Sequence, residues 1–408
     1  MPQPTTHDEL ISAIAAARAE ADAGRAEAAE EIFLDVLSRS RDSASRAEVQ
    51  ACSSLVTLYS REQRDFETLP FARRLIALAT ELDDHGLLCR GLAAVAGAFE
   101  DLDDLDRCER IIDSLQSTLS LFGALGLDTL KYRRIVHSYR TSIALTRGQT
   151  DPAVSELEAL RESFAESEPT PAEQRWIAVL DARVYLALGL PKSARDAVTR
   201  GRAIDAPAAI GGLALDYFDV CCTIELEGPV TARISAKQML ARLRQAGPQI
   251  HGTTQRMRFF TLLGHKMRER CDAAEIARDC YDVAATAAIG RMFQLHRSVG
   301  RVPELEYLND DDRRALTEYR QRFKSDQLAL LRSVAQLLEV VARTQRSLPE
   351  ELSLFSEGVF LLCAWCERVC TGGGEWIPIG HFVPQNPSVV ARHAICPDCR
   401  GVFEANPQ

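Results

Sequence analysis

No run in the 408-residue sequence approaches the roughly 18–20 consecutive apolar residues that a membrane-crossing helix needs. Stretches such as GLAAVAGAF at 91–99 fall far short, and the opening MPQPTTHDEL has no basic segment leading into an apolar one. No membrane association is therefore expected, and the cytoplasm is the expected compartment. Clustered positive charge is also missing. The net charge is −10, which speaks against general binding to nucleic acid or to an anionic membrane surface. Catalytic signatures are absent too: there is no G-x-S-x-G, G-x-x-x-x-G-K-[ST], H-E-x-x-H or G-x-G-x-x-G. TGGG at 371–374 lacks the Lys and helix of a phosphate loop, and His137 in HSYRTS has no nucleotide-binding glycine segment to serve. The acidic pairs Asp83–Asp84 and Asp103–Asp104 fall where turns are expected, as caps. The chain is not expected to be an enzyme.

Strand signals are nearly absent from the first three hundred residues. What is there instead is a recurring helical unit. In AIAAARAEADAGRAEAAEEIFLDVLSRS, residues 13–40, one helical pattern ends near Gly24 and a second begins at Ala26, with Ala29, Phe33, Val36 and Leu37 on one face. Turn-like points recur at Gly24, Asp65, Asp103, Gly148, Gly189, Gly228 and Asp272, separated by 38 to 45 residues. A hairpin of two helices cannot bury its apolar stripe alone, so neighbours must stack. The expected fold is all-α: an α-solenoid of about seven helical hairpins over residues 8–300, then a long helix, then a small cysteine-bearing module.

These units resemble tetratricopeptide repeats in a longer form of about forty residues found in bacterial regulatory proteins. The carrying residues are Gly24, Ala29, Phe33 and Val36 in the first unit, Gly189, Ala194 and Ala197 in the fifth, and Cys271, Asp272, Ala277, Tyr281 and Ala284 in the seventh. The resemblance implies a surface for a protein or peptide partner. A scaffold that serves only its own C-terminal part is the competing reading.

From Asp312 to Ser347 there is neither Gly nor Pro, and Pro349 follows. A helix is predicted over 311–348, with Asp310 to Asp312 as cap and first-turn charge. Leu316, Tyr319, Phe323, Leu330, Val334, Leu338 and Val341 form its stripe. It either caps the last repeat or pairs with its twin in a homodimeric coiled coil. The apolar content of LALLRSVAQLLEVVA exceeds what one capping face needs, which favours the pair.

Seven of the twelve cysteines (Cys52, Cys89, Cys108, Cys221, Cys222, Cys271 and Cys280) are scattered on helical patterns and are expected to pack as small hydrophobes. The other five fall within 363–399. Cys363-x2-Cys366 and Cys396-x2-Cys399 lie 29 residues apart, and two such pairs supply the four thiolates that zinc favours. A structural Zn2+ held by Cys363, Cys366, Cys396 and Cys399 is expected to fold a module over 352–408, since its apolar core is too small alone. Cys370 completes a C-x2-C-x3-C run and leaves an iron–sulfur cluster as the alternative. His381 and His393 are candidate substitute ligands, more often found as packing or outer-sphere residues. The segment between the pairs reads as a short hairpin and loop, and Pro397 as the start of a helix. Three arginines against five acids over 357–408, net −2, weigh against a finger that reads nucleic acid.

LFSEGVFLLCAWCERVCTGGGEW with RHAICPDCRG resembles a small cysteine module at the C-terminal end of many bacterial signalling proteins. The matching residues are Cys363, Cys366, Trp376, His393, Ile395, Cys396, Pro397 and Cys399. The extra Cys370, the few basic residues after Cys366, and the repeats in place of a sensor domain depart from it. The resemblance implies a metal-binding accessory module in signal transduction. The combined expectation is a non-enzymatic interaction or regulatory component, with a transcription or nucleic-acid regulator as the alternative.

Overall fold

The structure is a computed structural model. It describes residues 7–40, 46–62, 64–206, 211–245, 253–284, 287 and 307–319, and the backbone of four short strands between 359 and 394. Among the described residues the helices run in the order α1 (His7–Asp22), α2 (Ala26–Ser40), α3 (Arg46–Arg61), α4 (Leu69–Leu82), α5 (His85–Asp101), α6 (Leu105–Ala124), α7 (Leu130–Thr146), α8 (Thr150–Glu162), α9 (Pro171–Ala187), α10 (Pro191–Ala203), α11 (Gly212–Leu226), α12 (Pro229–Gln245) and α13 (Thr253–Cys271). Further helical segments cover 274–284 and 310–319. The chain divides into two compact units, Met1–Cys222 with Arg301–Arg320, and Thr223–Gly300 with Gln321–Gln408.

The turns inside the hairpins lie where the sequence spacing places them. Gly24, Asp103, Gly148, Gly189, Gly228 and Asp272 all have left-handed backbone, with φ between 46° and 85°. Such a residue ends a helix by aiming the next amide back at the last turn. Arg25 N donates to the Glu20 carbonyl, Gln149 N to Ala144 and Leu190 N to Tyr185, at 2.8 to 2.9 Å. Asp65 differs: it opens a short 3-10 turn, Asp65–Thr68, that leads into α4. Asp83, Gly126 and Gly211 are also left-handed and lie between successive hairpins, at α4–α5, α6–α7 and α10–α11.

In the first unit each helix from α1 to α9 packs on the next, α9 packs on α10, and the leading helices also touch two along, α1 on α3, α5 on α7 and α7 on α9. The small residues singled out by the repeat pattern are fully buried, Ala29, Ala194 and Ala197 in this unit and Ala277 and Ala284 in the second, as are the large Phe33 and Tyr281. A side chain on Gly91 would meet Ile76 Cγ1 at 2.6 Å and the Ala72 carbonyl at 3.0 Å, so α5 meets α4 only because that position is bare. Near the first turn a buried ion cluster holds three elements together. The Arg64 guanidinium donates to Glu67 at 2.6 Å and to Glu30 at 2.9 Å, and the Tyr59 hydroxyl donates to Glu30 at 3.1 Å. In the second unit α12 packs on α13, and Arg233 donates to the Cys271 carbonyl at 2.8 Å.

The C-terminal strands are β1 (Val359–Cys363), β2 (Arg368–Cys370), β3 (Trp376–Pro378) and β4 (Val390–Ala394). They form one sheet in the order β3-β2-β1-β4, with β1 antiparallel to β2 and parallel to β4. The helical array is as expected, whereas the module has more strand than the short hairpin read for it. VFLLC and VARHA are five-residue runs between turn residues, too short to form a stable helix and suited to strands. The helix expected after Pro397, and the predicted helix beyond residue 319, lie outside the described residues.

Gly91→Ala is expected to destabilise the protein by about 1–3 kcal/mol through overpacking. Gly123→Ala, where an added Cβ meets nothing within 4 Å, should leave stability unchanged or raise it by about 0.5–1 kcal/mol. Urea unfolding of the two variants checks the pair.

Candidate functional site

Of the four predicted metal ligands, Cys363 is the last residue of β1; Cys366, Cys396 and Cys399 lie outside the described residues. The parallel register pairs Val359 with Val390 and ends by pairing Cys363 with Ala394, the last residue of β4. Both strands therefore leave the sheet at the same end. The connection 364–367, with Cys366 in it, joins β1 to the start of β2, and Cys396 follows β4 by two residues. The ends of β1 and β4, at Cys363 and Ala394, therefore lie side by side. Cys370 has a different place: it ends β2, opposite Leu361 on β1 and Trp376 on β3, two registers down from Cys363. His393 is within β4, opposite Leu362; His381 lies outside the described residues. Four thiolates in two Cys-x-x-Cys pairs are a donor set that fits zinc.

The other seven cysteines are all buried. Burial pushes the thiols of Cys89 and Cys222 up to about 11 and that of Cys280 to about 12, and raises Cys52, Cys108 and Cys271 as well. A thiol held neutral and enclosed is neither a metal ligand nor a nucleophile. Their role is packing, as the helical pattern indicates.

The acidic pairs weighed in the sequence lie at helix turns, and His137 faces a carboxylate. Asp83 and Asp103 are the left-handed turn residues, and the carboxylates of Asp84 and Asp104 accept from the amides of Leu87 at 2.9 Å and Arg107 at 3.1 Å, capping α5 and α6. His137 on α7 places Nδ1 2.7 Å from Glu156 of α8, beside Arg140, which also pairs with Asp113 at 2.9 Å. Among the described residues no group of three or more His, Cys, Asp or Glu is arranged to hold a metal ion.

The leading helices of the hairpins carry a polar ladder. Arg18 of α1 donates to Ser54 of α3, and Arg90 of α5 to Thr57 of α3, each at 3.2 Å. Ser142 of α7 donates to Glu100 of α5 at 2.9 Å, and Arg183 of α9 donates to Ser142 at 3.0 Å and to Thr146 at 2.7 Å. Trp176 of α9 donates to Ser138 of α7 at 2.6 Å. The five leading helices α1, α3, α5, α7 and α9 are therefore each linked to the next by side-chain hydrogen bonds. Sequence reasoning located the hairpins but not this ladder, because its members are common polar residues with no motif. It also missed a contact of residues 307–319 with α4 and α6, which joins residues more than 200 positions apart. In the native chain at pH 8, the seven helical cysteines should resist iodoacetamide over a time in which the unfolded chain is fully labelled. Peptide mass spectrometry reads this out, and rapid native labelling of any one would contradict its burial.

No protein-family model matches the sequence, and no curated protein matches it. Among solved structures, the chain is similar to the TPR domain of P58(IPK), with 11% identity over 83% of this chain and 100% of that one, at a TM-score of 0.26. The fold stands on this chain's own turns and packing. Among the described residues no helix is long and apolar enough to cross a membrane.

Proposed function

We propose that the chain is a non-enzymatic interaction component of bacterial signal transduction. Its leading-helix surface binds a protein or peptide partner, and a structural zinc held by Cys363, Cys366, Cys396 and Cys399 folds the C-terminal module. The observation that carries the metal reading is the parallel pairing of β1 with β4, ending on Cys363 and Ala394. In this arrangement the strand ends that lead into the two Cys-x-x-Cys segments are neighbours, which favours bringing the two pairs to one ion. The resemblance of 352–402 to the cysteine module of signalling proteins supports the signalling context. The partner reading is supported by the ladder from α1 to α9, whose outer members Thr57 and Thr146 are exposed. Hydrogen-bonding groups repeated at helix spacing suit an extended or helical peptide.

Full-length protein purified without chelator should carry one zinc per chain by elemental analysis. Cys363→Ser with Cys396→Ser should abolish the metal, while Cys370→Ser should retain it. Folded wild-type protein with no metal, or loss of metal in the Cys370 variant alone, would contradict the assignment. For the partner surface, a photo-crosslinking residue placed at Thr57 or Thr146 should yield a discrete protein adduct in the native host, and one at exposed Ser117 on α6 should not. Equal yields at all three positions would sink the surface assignment.

A further inference from the structure

We propose that the side of α4 and α6 carrying Arg73, Arg107 and Arg110 is a second docking site, for the acidic start of an amphipathic helix. Residues 307–319 occupy it in cis as a releasable latch. This concerns the opposite helices of the hairpins and depends on neither the zinc nor the leading-helix surface.

The contact stands apart from the repeat pattern. The ladder bonds join residues 33 to 42 apart, about one repeat. The bonds from α4 and α6 to this segment span 204, 211 and 239 residues. A helix over 310–319 presents Asp312, Ala315 and Tyr319 as one buried stripe, with Leu308 buried just before it. Spacings of three and four place these on one face. At its centre is a charge. The Asp312 carboxylate is fully enclosed and accepts from Arg73 Nε at 2.8 Å and Nη2 at 2.7 Å. It also accepts from the Asn309 amide at 3.2 Å, while Asn309 Oδ1 accepts from the Asp312 amide at 2.8 Å. This reciprocal cap replaces the one expected at Asp310 to Asp312, since the side chain of Asn309 does the capping and Asp312 is three residues on. One carboxylate both starts the helix and docks it.

Around this anchor the charges are complementary. Arg107 donates to Asp311 at 3.1 and 3.2 Å and to Glu318 at 2.8 Å, and Arg110 approaches Asp311 at 3.7 Å. The Arg107 guanidinium holds the Asp311 carboxyl below its ordinary range. On the receiving side Asp104 is the acid bonded to Arg107, at 2.5 Å. Arg74 lies over the Tyr307 ring at 5.6 Å. A segment carrying Asp310, Asp311, Asp312 and Glu318 against Arg313 and Arg314 has net −2. The features that recognise it are a capped acidic first turn with one buried aspartate, then small and aromatic residues three and seven positions later. A partner helix with that pattern would compete for the same arginines, and the tethered segment makes entry conditional on its release.

The test uses full-length protein and a fluorescent peptide of residues 305–321, read by anisotropy. The site is blocked in wild type, so Asp311→Ala with Asp312→Ala should tighten peptide binding at least tenfold. Adding Arg73→Glu and Arg107→Glu to that variant should remove the gain. Equal affinity for wild type and the latch variant, or a gain that survives the arginine changes, overturns the proposal. Should the latch variant not fold, hydrogen exchange on the wild type decides. Raising NaCl from 0.05 to 1 M should speed exchange over 310–319 several-fold and leave α4 and α6 unchanged. Exchange over 310–319 that is insensitive to salt overturns the latch.

Discussion

An added methyl at Gly201 would sit 3.0 Å from both Ala178 and Leu215, and one at Gly264 would sit 2.7 Å from the Tyr281 ring. With Gly91, these positions show one constraint at work both within and between hairpins: neighbouring helices come close enough to share a core because the residue between them is minimal. Close approach limits what each hairpin can bury by itself, and that makes stacking obligatory. The rest follows from stacking. Left-handed turns at Gly24, Asp103, Gly148, Gly189, Gly228 and Asp272 reverse the chain at nearly constant intervals. The leading helices then line up, and polar side chains from successive helices reach one another.

Much of this was legible in the residues. A glycine or aspartate that ends a helix must supply a backbone conformation few other residues adopt, so the turn spacing carried the repeat. Ala29, Ala194 and Ala277 carried the packing face because size at a helix crossing is restricted, and Phe33 because a large apolar side chain must be buried. The scattered cysteines read correctly as packing from their place on those faces. Asp65 was located as a turn but not as a 3-10 segment, since Asp starts either. The polar ladder was not legible: Ser54, Ser142 and Arg183 acquire meaning only when helices forty residues apart are neighbours.

The module and the 307–319 contact mark the limits of local pattern in different ways. VFLLC carries no alternation, and its strand character emerges from pairing with VARHA, about thirty residues on. The Cys-x-x-Cys spacing was visible without the sheet, whereas the side-by-side ends of β1 and β4 depend on the parallel register. Asp311 and Asp312 looked like ordinary first-turn acids. Their partners, Arg73 and Arg107, lie in the second and third hairpins, and nothing in the intervening sequence points to them. An aspartate fully buried against an arginine is costly to leave unpaired, and it ties the start of the C-terminal region to the front of the array.

Zinc coordination by the two cysteine pairs is the central claim, and X-ray absorption at the zinc edge of full-length protein tests it most directly. Four sulfur neighbours at about 2.3 Å, with no shorter nitrogen or oxygen shell, are what the account predicts. A first shell containing nitrogen at about 2.0 Å would bring a histidine into the site and contradict the four-thiolate assignment.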